Sequence, residues 1–492
     1  ASLMDHRPRI RVMEARLGER QWPLRIPFHY GRVTVSRFAE VHLSLDAVIG
    51  GRSVTGHAAE IAAPKWFEKD PGIGTDESGY RLKLAAIRAA AIASAIAADL
   101  PDVAGLEREL TRAMASDTTL VDDGLTALER AFGVALVERA AIDGLCRTLD
   151  LPFEAIVAAD HLGLTADEGD AYRTWLSSRD APARSIGVRH TVGLADPLTA
   201  ADSTDGPVDG KPVTLAEVIT ATAIDRFKVK LGGSLEALDR LEAIAGLLDA
   251  MLPSYRISLD ANEAFDDLDV FAGVMAELVR RPRLKRFTAS IVYIEQPLHR
   301  RLALSTDLRR LALPWPVIID ESDESDDAFA RALALGYAGV SMKTCKGVLH
   351  GLRNAARAAA AGAFITAEDL CVQPGIALQQ NLAAAAAIRV ADCERNGHHF
   401  GPGTTALPTD ERAAIEALHP DVYGPEGLRI VAGQIHLGST LAAHGFGTSL
   451  TPRHGEPLTS VRMRSKISPS AENKATFFES AKADESRDHR GG

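Results

Sequence analysis

The sequence predicts an α/β protein: a (β/α)8-type barrel with an N-terminal α+β capping domain that the C-terminal segment completes. Three observations lead there. Between about residues 185 and 405, short β-rich runs alternate with Ala- and Leu-rich helical runs, and strict alternation gives a parallel sheet covered by helices. Eight such strands fall within about 220 residues, which suits a closed eight-fold barrel. No Gly-rich GxGxxG turn follows an early strand, as the alternative, an open doubly wound sheet, would require. The 492 residues also exceed what one core supports, so at least two domains are expected.

In chain order, residues 1–10 are a leader with no apolar segment, so no secretory signal is expected. From Ile10 to Glu60 the pattern is that of strands. Val33, Val35, Val41, Leu43 and Leu45 alternate with polar residues, and Gly50 and Gly51 mark a hairpin turn. A small antiparallel meander is expected there. Residues 64–80 form a loop rich in Gly, Pro and Asp. Residues 82–178 are helical: RLKLAAIRAAAIASAIAADL and GLTALERAFGVALVERAAIDGLCRTL carry apolar residues at helical spacing. The first reads as a helix with one buried face rather than a membrane-active one. Barrel strands are expected near 187–194, 225–231, 255–260, 290–295, 316–320, 338–343, 363–366 and 388–392. After about residue 405 the alternation stops. GLRIVAGQIHLG is a β-like hairpin expected to pack back on the meander, and the polar tail from about Ser465 is expected to be mobile. The domain bounds implied are 1–180, 181–405 and 406–464, with 465–492 as tail.

Charged residues stand at the ends of successive barrel strands. Arg226–Gly233 reads RFKVKLGG, and the two-residue period puts Lys228 and Lys230 on one face. Asp260 ends RISLD, Glu295 ends IVYIE, Asp320 ends PVIID and Lys343 ends GVSMK. Barrel active sites lie at C-terminal strand ends, and neighbouring ends are about 5 Å apart. Three carboxylates that close cannot all stay ionised without a cation. Hard oxygen ligands, with no Cys or clustered His, select Mg²⁺ over Zn²⁺. A substrate carboxylate on that ion would place its α-carbon between Lys230 and Lys343. A lysine beside a metal cation has a lowered pKa and can act as a base, while the metal stabilises the enediolate. Each residue taken alone has a plainer reading: lysines guard sheet edges, and Asp at a βα junction caps the next helix. Lys346 and Glu321, beside Lys343 and Asp320, are alternative participants.

The set KVK, DAN, EQP, DES and SMKTCKG resembles the enolase superfamily, in particular the muconate-lactonizing, mandelate racemase-like and dipeptide-epimerase enzymes. The resemblance runs over roughly residues 20–450 and is strongest over 225–345. It implies Asp260, Glu295 and Asp320 as Mg²⁺ ligands, with Lys230 and Lys343 as acid and base on opposite substrate faces. Lys228 is then the electrostatic neighbour of the substrate carboxylate. Dipeptide epimerases carry an Asp-x-Asp pair on strand 8; the nearest match here is Asp392-x-Glu394, which would bind an ammonium if both point inward. A salt bridge to Arg389 or Arg395 is the alternative. Glu368 and Asp369 after strand 7, and His190 on strand 1, are further substrate-binding candidates; for His190 the plainer reading is an ordinary hydrogen-bonded histidine. The helical stretch 82–178 is longer than the family pattern, and a polar insertion precedes the first barrel strand. Loops at about 13–30 and 50–75 are expected to close over the barrel mouth, with Trp22, Phe28, Tyr30 and Trp66 as lid candidates or meander core.

The implied activity is α-proton abstraction from a small carboxylate through a metal-stabilised enediolate, as a racemase or epimerase. A dehydratase, a cycloisomerase or an o-succinylbenzoate synthase-like lyase would use the same first step. From other classes, a metal-free Schiff-base lyase and a non-catalytic acid-binding barrel stay open. A net charge of −11 argues against nucleic acid as partner, and no apolar run reaches membrane-helix length. Four cysteines far apart, without a CxxC pair, suit reduced thiols in the cytoplasm. A homo-oligomer is expected.

Overall fold

The computed structural model describes residues 7–459 except 32, 203–205 and 426; the expected tail from 465 lies outside the described residues. Three long strands come first. β1 (Ile10–Tyr30) pairs antiparallel with β2 (Val33–Ile49), and β2 with β3 (Arg52–Ile61). Gly50 and Gly51 make the β2–β3 turn at φ +56° and +81°, the left-handed pair that a two-residue hairpin needs. The stretch 13–30 is not a loop. Its pairing with β2 slips between Pro23 and Phe28 and then resumes to Tyr30, because Pro23 has no N–H to give the ladder. Residues 50–61 are likewise turn and strand; only the part after Ile61 is loop.

Six helices follow: α1 (Thr75–Ala95), α2 (Val103–Ser116), α3 (Thr118–Asp122), α4 (Ala127–Leu149), α5 (Phe153–Ala158) and α6 (Thr165–Ser178). A capping box starts α4, with the Thr126 hydroxyl accepting from the Glu129 N–H and the Glu129 carboxylate from the Thr126 N–H; such caps contribute about 1 kcal/mol. α4 crosses β3 at Gly56, where a Cβ would stand 1.9 Å from the Ala140 carbonyl oxygen. Only glycine permits that approach.

The barrel strands are β4 (Ser185–Val192), β5 (Arg226–Lys230), β6 (Arg256–Asp260), β7 (Ile291–Glu295), β8 (Val317–Ile319), β9 (Gly339–Lys343), β10 (Phe364–Glu368) and β11 (Asp392–Arg395). They pair in sequence order, all parallel, and β11 pairs back on β4 to close the ring. The last strand lies later than expected. The run Ile388–Ala391 is the end of the preceding helix and a turn, with Arg389 at φ +62°; Ile388 is buried, Val390 half-buried and Ala391 exposed. The C-terminal segment also departs from expectation. Gln434–His436 pairs antiparallel with Ser185–Gly187 at the start of β4, not with the meander. The piece that adds a strand to the meander is Glu456–Pro457, beside Gly18 and Glu19 of β1.

Buried polar contacts hold the capping sheet against the barrel. Arg139 of α4 pairs with Glu60 at 2.7 Å and donates to Gln380 at 3.0 Å, and Thr344, just past β9, donates to Glu60 at 2.9 Å. Removing one partner from a buried pair of this kind costs about 3–5 kcal/mol. Among the described residues no helix is long and apolar enough to cross a membrane, and all four cysteines are buried and free.

Candidate active site

Strand register assembles the charged residues. Lys230 lies beside Asp260, Asp260 beside Glu295, and Lys343 beside Glu368 on adjacent parallel strands. Asp320 follows β8 directly. Asp260, Glu295, Asp320 and Glu368 are all fully buried. Two motif residues explain how these acids are aimed. Gln296 accepts from the backbone N–H of Asp320 at 2.8 Å and of Ser322 at 3.1 Å, clamping the turn that carries Asp320. Asn262, at φ +44°, accepts from Lys230 at 2.5 Å and donates to Glu321 at 3.0 Å.

Lys228 stands at the centre. Its ammonium lies 2.9 Å from Glu295, 2.9 Å from Glu394 and 3.1 Å from Asp260, and also contacts Glu368. Lys230 reaches Asp260 at 2.5 Å. Lys343 pairs with Asp320 and stands 3.5 Å from Glu368, with the Trp66 ring centroid 5.0 Å from its nitrogen. Burial works against the charge on Lys228, but Asp260, Glu295, Glu368 and Glu394 outweigh it and raise its pKa well above the usual lysine range. Lys343 is raised in the same way, against its burial, by Asp320 and Glu368. The ammonium groups draw Asp260 and Asp320 down although burial opposes this. Glu295 goes the other way. Burial first, then the charges of Asp260 and Glu368, push it well above its usual range despite its contact with Lys228. Its second oxygen is buried with no hydrogen-bond partner among the described residues.

That orphaned oxygen and the all-oxygen acid set of Asp260, Glu295 and Asp320 suit a hard divalent cation. As the side chains stand, no three acidic, His or Cys groups among the described residues form a ready ligand set, because the lysine ammonium groups lie between the carboxylates.

The cavity over these residues is walled by Phe28, Tyr30 and Phe38 of the capping hairpin and by Ala63, Trp66 and Lys69 of the following loop; Asp369, Leu370, Glu394 and Asn396 close the far side. The loop is tied down by Arg300, which donates to the Trp66 and Phe67 carbonyls, each at 2.9 Å, while paired with Glu263 at 2.8 Å.

Not every expected residue reaches the cavity. Glu394 does, but Asp392, two residues earlier, pairs with Arg189 and Arg226, roughly 6–7 Å further down the strand. The two acids therefore do not act as a pair at the mouth, and the salt bridges of Asp392 are to Arg189 and Arg226 rather than to Arg389 or Arg395. Glu368 faces inward but is consumed by Lys228 and Arg189. His190 points outward. Its neighbours Arg189 and Thr191 take the inward positions, bonding Glu368 and Glu394, and His190 packs against His398 and His399. Trp22 is fully buried within the sheet, its indole N–H donating to Glu40. Lys346 sits behind Asp320, held by the Ser341 carbonyl at 2.7 Å and by Asp323 at 3.2 Å. Arg189, Asn262, Gln296 and Phe38 are contributors that motif reading passed over; the signals for the first three were a charge inside a β-run, the third letter of DAN and the second letter of EQP.

Comparison with known proteins agrees with this geometry. A family profile described as enolase C-terminal domain-like matches residues 213–453. No curated protein matches by sequence. Similar solved structures include an enolase from Bradyrhizobium complexed with magnesium and mandelic acid, at 17% identity and TM-score 0.56, covering 90% of this chain and 96% of that one. A muconate lactonizing enzyme from Pseudomonas fluorescens complexed with muconolactone is 18% identical with TM-score 0.57, covering 90% and 97%. A mandelate racemase/muconate lactonizing protein from Herpetosiphon aurantiacus is 18% identical with TM-score 0.57, covering 88% and 98%. Identities this low speak for the fold. With the profile match spanning the strands that carry KVK, DAN, EQP, DES and SMKTCKG, the chain belongs to the enolase superfamily.

Proposed function

We propose that this protein is a Mg²⁺-dependent enzyme that removes and returns the α-proton of a small carboxylate, as a racemase or epimerase. One observation carries the reading. Lys230 and Lys343 line one cavity from β5 and β9, four strands apart in an eight-strand ring, and Asp260, Glu295 and Asp320 come from the three strands between. The magnesium and mandelic acid bound by the Bradyrhizobium relative support it. Asp260, Glu295 and Asp320 would hold the ion, which when bound supplies a Lewis acid for charge developing on the substrate carboxylate.

The chain's own residues divide the remaining work. Lys343, kept protonated by Asp320 and Glu368, is the donor to one face of the α-carbon. Lys230 is the acceptor on the other. Lys228 balances part of the charge of the inner acids. The aromatic wall excludes water from the reacting carbon. Removal from one face and return to the other inverts the centre; loss of a β-leaving group after the same first step makes the enzyme a dehydratase or related lyase. A Schiff-base route through Lys343 is disfavoured, because an ammonium group held charged is a poor nucleophile.

The test is exchange of the substrate α-proton with deuterium from solvent, over a panel of hydroxy acids, acid sugars and dipeptides. Exchange is expected in the Mg²⁺-loaded enzyme and lost in Lys230→Ala, in Lys343→Ala and after EDTA. Exchange that persists in all three overturns the reading, and a borohydride-trapped adduct with substrate would favour the Schiff-base lyase.

A further inference from the structure

We infer that Arg395 heads a second ligand site, for one compact oxyanion, behind the wall of the cavity just described. The sheet period turns Glu394 into the barrel and Arg395 out of it. Arg395 is 1% exposed. Its Nη1 donates to Asp369 at 3.1 Å, while Nε and Nη2 are buried with no partner among the described residues. Those two N–H groups share one edge of the guanidinium plane and point in parallel. That edge is the fork that takes two oxygens of a carboxylate or phosphate at once.

A cavity lies beside the guanidinium, lined by Arg395 together with Lys211, His398, Gly397 and Asp369. Lys211 adds a second positive charge. His398 Nδ1 is also buried without a partner. In the tautomer in which His190 Nδ1–H donates to His398 Nε2, 3.3 Å away, the Nδ1–H of His398 is a third donor. The cavity is about 20 Å³, against the roughly 10–15 Å³ that one water needs, so a compact ion fits and a chain-bearing acid does not. It lies between the segments following β10 and β11, the seventh and eighth barrel strands, a region where such barrels commonly hold phosphate groups. Asp369 offsets only part of the positive charge near neutrality, since burial pushes its carboxyl up to about 7. The inference stands apart from the proposed reaction, because neither Arg395 nor Lys211 lines the substrate cavity.

The experiment titrates the full chain calorimetrically with inorganic phosphate and, separately, with sodium formate at constant ionic strength, for wild type, Arg395→Lys and Lys211→Ala. Saturable binding of at least one anion is expected, with affinity falling about tenfold or more in Arg395→Lys, which keeps the charge but loses the fork. Lys211→Ala, at a half-buried position, is expected to weaken binding severalfold and carries the test if Arg395→Lys fails to fold. Phosphate alone binding identifies an inorganic ion; formate binding identifies a carboxylate. Lack of saturation with both anions up to about 50 mM, or binding that the substitutions leave unchanged, overturns the inference.

Discussion

Replacing Lys228 with Met keeps the side-chain stem and removes the charge on which four acids converge. The ammonium lies 2.9 Å from Glu295, 2.9 Å from Glu394 and 3.1 Å from Asp260, and touches Glu368. At an effective dielectric of about 20, each 3 Å contact is worth roughly 5 kcal/mol of attraction. Desolvating five charges takes back most of that sum, and deleting one member of a buried ion pair is typically found to cost about 3–5 kcal/mol. We expect the upper part of that range at pH 8, where the stranded acids must stay ionised or take up protons against the bulk. At about pH 5 protonation relieves them, and the loss should shrink by half or more. Equilibrium urea unfolding at both pH values, without added metal, measures the difference. Combining Lys228→Met with Glu368→Gln should cost less than the sum of the single losses. A loss below about 1 kcal/mol at pH 8, or one equal at both pH values, would refute the view that Lys228 is the counter-charge of the inner acids.

Three further outcomes are expected. Mg²⁺ at a hundred times its dissociation constant should stabilise the protein by about 2.7 kcal/mol; Asp320→Asn or Glu295→Gln should abolish the gain, and an equal gain in those variants would count against the ion's assignment. His57 is held down at about 3 by burial first, then by Arg147 and His454, against an ordinary 6.5. The unfolded chain therefore binds one more proton than the fold between pH 6.5 and 3, so stability should fall as pH drops through that window, by a few kcal/mol at most. His57→Gln should flatten the slope, and an unchanged slope would remove His57 as its source. Arg300→Ala frees the Trp66 and Phe67 carbonyls; hydrogen exchange at residues 66–69 should quicken about tenfold or more, with KM rising more than kcat falls, whereas unaltered exchange would show that the loop is held by other contacts.

Some of this architecture is written locally in the chain. A closed parallel barrel repeats one strand and one helix per unit, so its strands recur at readable intervals. Its active site draws on strand ends, so Lys230, Asp260, Glu295, Asp320 and Lys343 each appear as the charged residue that ends a β-run. Gly50 and Gly51 are legible for a similar reason, since a two-residue hairpin demands left-handed backbone. The eighth strand was not legible, because Ile388 and Val390 satisfy a β-like pattern while belonging to a helix end and a turn.

Other questions were settled only by packing in three dimensions. A two-residue period says which side chains share a face, yet not which face turns inward or how deep a residue sits. His190 turns outward and Arg189 inward for that reason, and Asp392 drops below the mouth while Glu394 stays at it. The joint hold of Lys228 on Asp260, Glu295, Glu368 and Glu394 unites five strands, with Lys228 and Glu394 166 positions apart in the chain. No local pattern encodes that contact, because buried charges choose partners by distance in the closed ring and not by spacing along the sequence. Residue types and their order at the strand ends are thus properties of the sequence. Which acid each lysine holds, and which edge of Arg395 is left open, follow from closure of the barrel and the burial it imposes.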